Sequence, residues 1–225
     1  MKLANLKRHR ASLLALAAAY VDTLGFIALF GLFTAHVTGN FVLIGAELVR
    51  QHDQVLTKLL ALPVFLLSVL ATAQSELLLK RRGKPATALL LLAEALVLAV
   101  TAILAQLLAA PAKADDSSSM LLGFMLITAM GIQNALMRTS LAGAVQTTVM
   151  TGNVTQLSID LLALFSGRAD AAIRQRIALA WPAVLAFAVG SASGAIGYAW
   201  LGFPSLWLAV VLVLLCALCS KNDLP

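Results

Sequence analysis

Two apolar segments of this chain are too long to cross a membrane as single straight helices. Ala11 to Val49 runs 39 residues and Met120 to Leu164 runs 45, with few charges in either. About 20 apolar residues cross a ~30 Å hydrocarbon core, and at ~1.5 Å per residue the first segment would extend ~58 Å as one helix. Each must therefore break inside the bilayer. Shorter apolar segments lie at Thr57 to Leu79, Ala86 to Ala110, Ile177 to Ala199 and Ser205 to Cys219. Hydrophobic residues make up 61% of the chain and charged residues 12%, against roughly 45–50% and about 25% in soluble domains. A water-soluble fold is excluded, and the runs do not alternate as barrel strands do. The expected fold class is an all-α integral membrane protein, one transmembrane domain over residues 1–225.

The net charge of +6 sits in the short polar breaks, so it reads as topology, and no nucleic-acid partner is expected. The N-terminal basic residues and apolar run resemble a signal peptide, but the run is too long and holds Asp22, which favours a retained first helix. If each long segment crosses once net and the N-terminus is cytoplasmic, twelve basic residues collect inside: Lys2, Lys7, Arg8, Arg10, Lys80, Arg81, Arg82, Lys84, Arg168, Arg174, Arg176 and Lys221. Arg50, Lys58 and Lys113 fall outside and Arg138 within the membrane. This division obeys the positive-inside rule and predicts six net crossings with both termini cytoplasmic, in a bacterial inner membrane.

The chain also repeats itself. Thr38-Gly39-Asn40 recurs 113 residues later as Thr151-Gly152-Asn153; Glu47-Leu48 meets Asp160-Leu161 at the same offset, and Ala19 to Asp22 aligns with Gly131 to Asn134 at 112. Pro63 pairs with Pro182, and Ala71-Thr72-Ala73 with Gly190-Ser191-Ala192, at 119. Their collinear order points to a duplication, with repeat 1 at about 11–110 and repeat 2 at about 120–219. Three crossings per half invert the second copy, a common plan of secondary transporters.

These residues resemble a known family. A-Y-V-D-T-x-G-F at Ala19 to Phe26, T-G-N at Thr38, G-I-Q-N-A at Gly131 to Ala135 and T-G-N at Thr151 look like the YoaK-like family of small bacterial inner-membrane proteins, classed as a domain of unknown function. The resemblance covers both halves and implies a polytopic inner-membrane protein. It supplies no substrate, so the functional reading rests on the residues.

Thr and Asn are good N-caps and Gly permits unusual backbone angles, so each T-G-N (Thr38, Gly39, Asn40; Thr151, Gly152, Asn153) is expected to start a half-helix after an unwound stretch at 32–37 or 141–150. The expected half-helices are Phe41 to Val49 and Val154 to Leu164. Their N-termini would face the middle of the bilayer and suit a carboxylate or another anion, unless the motifs only cap kinked helices. Asp22 lies near the midplane, where a carboxylate must be paired, protonated or beside water. It is a candidate for substrate binding or proton coupling, or else a structural hydrogen-bonding group or the ion-pair partner of Arg138. Its repeat counterpart, Asn134, cannot ionise. His36, with Val149 as its repeat partner, could donate to an anion or relay a proton. Glu94 is a second proton-relay candidate, whereas Glu76 is expected to pair with Lys80 at i,i+4. Gln133, Asn134, Arg138, Gln146, Thr147 and Thr148 form a polar cluster suited to the second half-helix.

The small residues from Gly190 to Gly197 suit close helix packing, expected against Ala71-Thr72-Ala73, and also allow an oligomer. Pro63 and Pro182 are expected to start or kink their helices. Cys216 and Cys219 lack a redox context and read as small hydrophobes. The lone His36 holds no metal, no cofactor is implied, and no H-E-x-x-H, G-x-S-x-G or P-loop motif marks an enzyme. The expected function is a transporter or channel for a small polar solute, an anion among the candidates, bound near the midplane between the two T-G-N half-helices. The alternative is a non-transport assembly or partner-binding membrane protein.

Overall fold

The computed structural model describes the backbone of residues 3–50, 55–108 and 111–220 and the side chains of 9–49, 55–108 and 111–220. The side chains of Lys2, Lys7, Arg8, Arg50 and Lys221, used above to set topology, lie outside the described residues. Among the described residues the chain is all helical: α1 (Leu3–Ala28), α2 (Gly39–Arg50), α3 (Leu56–Arg81), α4 (Ala86–Leu107), α5 (Ser117–Arg138), α6 (Met150–Phe165), α7 (Ala171–Leu201), a 3₁₀ turn (Phe203–Leu206) and α8 (Trp207–Cys219).

Five helices are long and apolar enough to cross a membrane: α1 from His9, α3, α4, α5 and α7. Two shorter apolar stretches, Gly39–Val49 and Phe203–Cys219, accompany them. Both long apolar segments break as their length requires, into α1 and α2 and into α5 and α6. The first break begins where Phe30 (φ 55°) and Gly31 (φ 80°) adopt left-handed angles. The amide of Gly31 then donates to the Phe26 carbonyl at 2.8 Å, closing the end of α1.

Helices α1 and α5 are the most buried spans and α3 and α7 the least. Helix α1 packs along α7, α5 along α3, and α4 along α8, while α2 lies on α3 and α6 on α7. Leu14, Val21, Leu24, Leu91, Leu98, Leu122, Leu126 and Met130 are fully buried between these helices. Outward faces such as Leu66, Leu67 and Leu70 on α3, or Leu185, Val189 and Ile196 on α7, are exposed and apolar. Such faces suit contact with lipid tails.

One packing expectation is corrected. The glycine stripe of α7 does not face Ala71-Thr72-Ala73. A Cβ on Gly190 would lie 2.4 Å from the Leu16 carbonyl oxygen, and one on Gly194 2.5 Å from that of Tyr20. The stripe is therefore what lets α1 and α7 touch backbone to backbone, an approach only hydrogen side chains permit. Pro63 and Pro182 lie inside α3 and α7 and start neither helix. Lys58, counted above as a flanking external charge, is 3% exposed and donates to Glu47 at 2.6 Å and to the Phe30 carbonyl at 3.2 Å. It ties half-helix α2 to α3. Arg176 does the same for α6 and α7, holding Asp160 through two nitrogens at 3.0 and 2.7 Å. Thus Glu47 and Asp160, 113 residues apart in sequence, each bind a base at the start of the following long helix.

Candidate functional site

The unwound stretches are held by buried polar side chains, because backbone that leaves a helix within the apolar interior must find new hydrogen-bond partners. Asp22, on α1, supplies them for the first stretch. Its Oδ1 accepts from the amides of Thr34 and Ala35 at 2.7 Å each and from the Thr34 hydroxyl at 3.3 Å. Its Oδ2 lies 2.6 Å from His36 Nδ1. The carboxylate is 5% exposed and serves as the acceptor around which residues 34–36 fold. Of the alternatives for Asp22, the partner is His36 and not Arg138.

The second stretch uses neutral groups in corresponding places. Thr148 donates to Asn134 Oδ1 at 2.6 Å, and Gln133 Nε2 donates to Thr147 Oγ1 at 2.8 Å and to the Leu14 carbonyl at 3.0 Å. His36 lies 14 residues after Asp22 and Thr148 lies 14 after Asn134. His36 and Thr148 thus stand at the same separation from their partners on α1 and α5.

The T-G-N motifs lie at the starts of α2 and α6, but their asparagines are not caps. Helix α2 begins at Gly39, and α6 at Met150, one residue before its motif. Asn40 instead reaches back seven residues: Oδ1 accepts from the Phe33 amide and Nδ2 donates to the Phe33 carbonyl, both at 2.9 Å. Asn153 reaches back seven as well, donating to the Gln146 carbonyl at 2.7 Å. Each asparagine staples its unwound stretch to the helix that follows.

Held in this way, the two stretches border a half-open cavity of about 330 Å³, lined by His36 and Thr38 from the first, by Thr148 and Val149 from the second and by Thr151 in the first turn of α6, with Leu62, Phe65 and Asn134 alongside. Its size is at the lower end of the ~300–1,000 Å³ typical of small-molecule sites. Phe65 and Asn134 also line an adjoining groove of about 280 Å³ between α3 and α5, which carries Arg138 and Thr139. The His36 ring is 35% exposed and is met edge-on by Phe187 of α7, centroids 5.6 Å apart. His36, Thr38, Asn134 and Thr151 thus come together, with Arg138 in the next compartment. Asp22, Asn40 and Gln133 stand behind them as supports. Gly39 opens α2, and a Cβ there would lie 2.9 Å from the Phe33 ring; Gly152, in the first turn of α6, has open space around it.

Glu94 does not join the cavity lining. It is fully buried on α4, and neither carboxylate oxygen has a hydrogen-bond partner among the described residues. Glu76 pairs with Lys80 at 2.5 Å as expected and also accepts from Ser140 at 2.5 Å and from Thr139, clasping α3 to the end of α5. Sequence reasoning missed this clasp, the Thr34 hydroxyl, Phe65, and the bases Lys58 and Arg176. For the bases a signal existed, since a cation follows each aligned acid by 11 or 16 residues. Cys216 is buried and Cys219 exposed, and both are free thiols.

Long apolar helices and broken segments with a cavity at the breaks are those of a multi-pass helical membrane protein. Residues 10–219 match the family described as "Protein of unknown function (DUF1275)", and the chain belongs to that family. No curated protein and no solved structure matches it.

Proposed function

We propose that this protein is a transporter or channel of the inner membrane, built as two inverted repeats with six net crossings and both termini cytoplasmic, and that it carries a small polar solute through the cavity between its two half-helices. The observation that carries the reading is the convergence of two unwound stretches, one from each half, on a single cavity with hydroxyl, amide and imidazole groups. Non-helical backbone at membrane depth is stable where protein shelters it or where it lines a wet space. Broken helices meeting at a shared site are the pattern of repeat-built transporters. The pairing of α1 with α7 and of α5 with α3 supports a pseudo-twofold relation, since exchanging the halves turns one pair into the other. The motif likeness to YoaK-like proteins agrees with an inner-membrane location. Solute would contact His36, Thr38, Asn134, Thr148 and Thr151, with Arg138 drawing anions into the adjoining groove. The internal bonding of Asp22, Asn40 and Gln133 makes these three residues supports of the cavity, and the alternative for the whole protein is an assembly or partner-binding role.

A thermal-shift screen of the purified protein against inorganic anions, carboxylates, amino acids, nucleobases and sugars tests this directly, because a ligand that binds the native state raises its melting temperature. A stabilising compound whose effect is lost in a folded Thr148→Val variant supports the cavity as its site. Absence of any stabilising compound, with no solute flux in proteoliposomes, would overturn it. A reporter fused after Lys84 should be cytoplasmic, and a periplasmic signal would refute the six-crossing topology.

A further inference from the structure

We infer that the cavity binds its anion together with a proton, and that His36 is the residue that carries the proton. This deepens the transport reading and rests on it. The two halves present the same hydrogen-bonded pair to the cavity, but His36 with Asp22 can take up a proton where Thr148 with Asn134 cannot. The Asp22 carboxylate accepts from four donors on Oδ1, three amides and one hydroxyl, and as a carboxylate has no hydrogen of its own to give, so the hydrogen of the 2.6 Å contact belongs to His36 Nδ1. In the neutral ring Nε2 is then the nitrogen with the free lone pair. Adding one proton there changes an acceptor into a donor and gives the ring a unit positive charge, with no bond to Asp22 broken.

The change matters because of what surrounds it. Leu62 and Phe65 of α3, Met150 of α6 and Phe187 of α7 are apolar, and α5 contributes the neutral Asn134. The charged groups on these elements are committed elsewhere or set apart: Lys58 to Glu47, Glu76 to Lys80, Arg176 to Asp160, with Arg81 and Arg174 at helix ends and Arg138 in the adjoining groove. On α1, Asp22 is the acid that acts on the ring, and Arg10 bonds Ser220 at the far end. With the ring neutral, the cavity holds the Asp22 charge behind it and repels anions. With the ring protonated, the pair is neutral overall and presents a positive edge to the cavity. Anion and proton would therefore enter and leave as a unit.

The test uses thiol chemistry and no knowledge of the natural solute. In a Cys216→Ser/Cys219→Ser background, Thr38→Cys and Thr151→Cys are each reacted with two methanethiosulfonates, one bearing a sulfonate and one a trimethylammonium group. The ratio of the two rates cancels the pH dependence of the thiolate. The expected result is a ratio favouring the anionic reagent about tenfold more at pH 5.5 than at pH 8.5, the size of effect a nearby unit charge exerts. The pH dependence should vanish in His36→Gln. Reaction with a ratio independent of pH would overturn proton coupling while leaving the cavity intact. No reaction at either cysteine would overturn the cavity reading and this one with it. A measurement on the unmutated site stands beside it: nitrogen NMR of ¹⁵N-histidine-labelled protein in nanodiscs should show His36 Nε2 titrating in that interval while Nδ1 stays protonated. A His36 ring in one state throughout would refute the proposal.

Discussion

Replacing Asp22 separates its two jobs, acceptor and charge. In Asp22→Ala the amides of Thr34 and Ala35, which belong to residues 0% and 6% exposed, lose their shared acceptor. An unsatisfied buried donor costs about 1–3 kcal/mol, so two cost roughly 2–6 kcal/mol. The neighbouring cavity gives water a way to the freed amides, which sets the expected loss at the lower end, about 2–3 kcal/mol. Asp22→Asn keeps an oxygen in the Oδ1 position and loses the charge, and since charge-assisted bonds are roughly twice as strong as neutral ones its cost should be about 1–2 kcal/mol. At on the order of 2–4 °C per kcal/mol for a chain of this length, thermal unfolding in detergent should rank wild type above Asp22→Asn above Asp22→Ala. Hydrogen exchange localises the effect: amides 34 and 35 should exchange faster in the alanine variant and remain protected in the asparagine variant. Equal melting temperatures for the two variants, with both amides still protected, would refute the carboxylate as the anchor of this stretch.

Glycine substitutions should split by position. Gly190→Ala drives a Cβ into the Leu16 backbone and should destabilise by about 1–3 kcal/mol, whereas Gly152→Ala, in open space in the first turn of α6, should be neutral or gain up to about 1 kcal/mol in helix propensity; urea or thermal titration of the pair checks this. Asn40→Ala should free both backbone groups of Phe33 and make protease cleavage or hydrogen exchange in residues 32–38 faster, while Asn40→Asp, keeping the acceptor, should be affected less. Glu94→Leu, which removes two oxygens with no partner among the described residues, should raise the melting temperature, and a fall would show that the carboxyl has a stabilising role.

Membrane character and the breaks followed from length: a segment of 39 or 45 apolar residues exceeds the bilayer whatever its neighbours do. The T-G-N motifs marked where the half-helices begin because a repeated tripeptide survives in the order of residues. Their mechanism was not legible, since Asn40 and Asn153 act on residues seven positions earlier in a backbone that is no longer helical. The Glu76 and Lys80 pair was readable because four residues are one helical turn. Lys58 with Glu47 and Arg176 with Asp160 left only a weaker mark, a cation 11 or 16 residues after each acid, because those partners meet only after two helices fold against each other.

Sequence alone determined that Asp22 and His36 stand in an apolar segment too long to stay one helix. Tertiary structure decided the division of labour between them. It turned Asp22 toward the loop amides and left His36 facing the cavity, because a carboxylate can hold several backbone donors at once while an imidazole bonded through Nδ1 keeps its second nitrogen free. It also set the glycines of α7 on α1 and gathered both unwound stretches around one space. Which side chains meet across a bundle depends on how the helices pack, and that is settled by shape over the whole interface, not by any local pattern of residues.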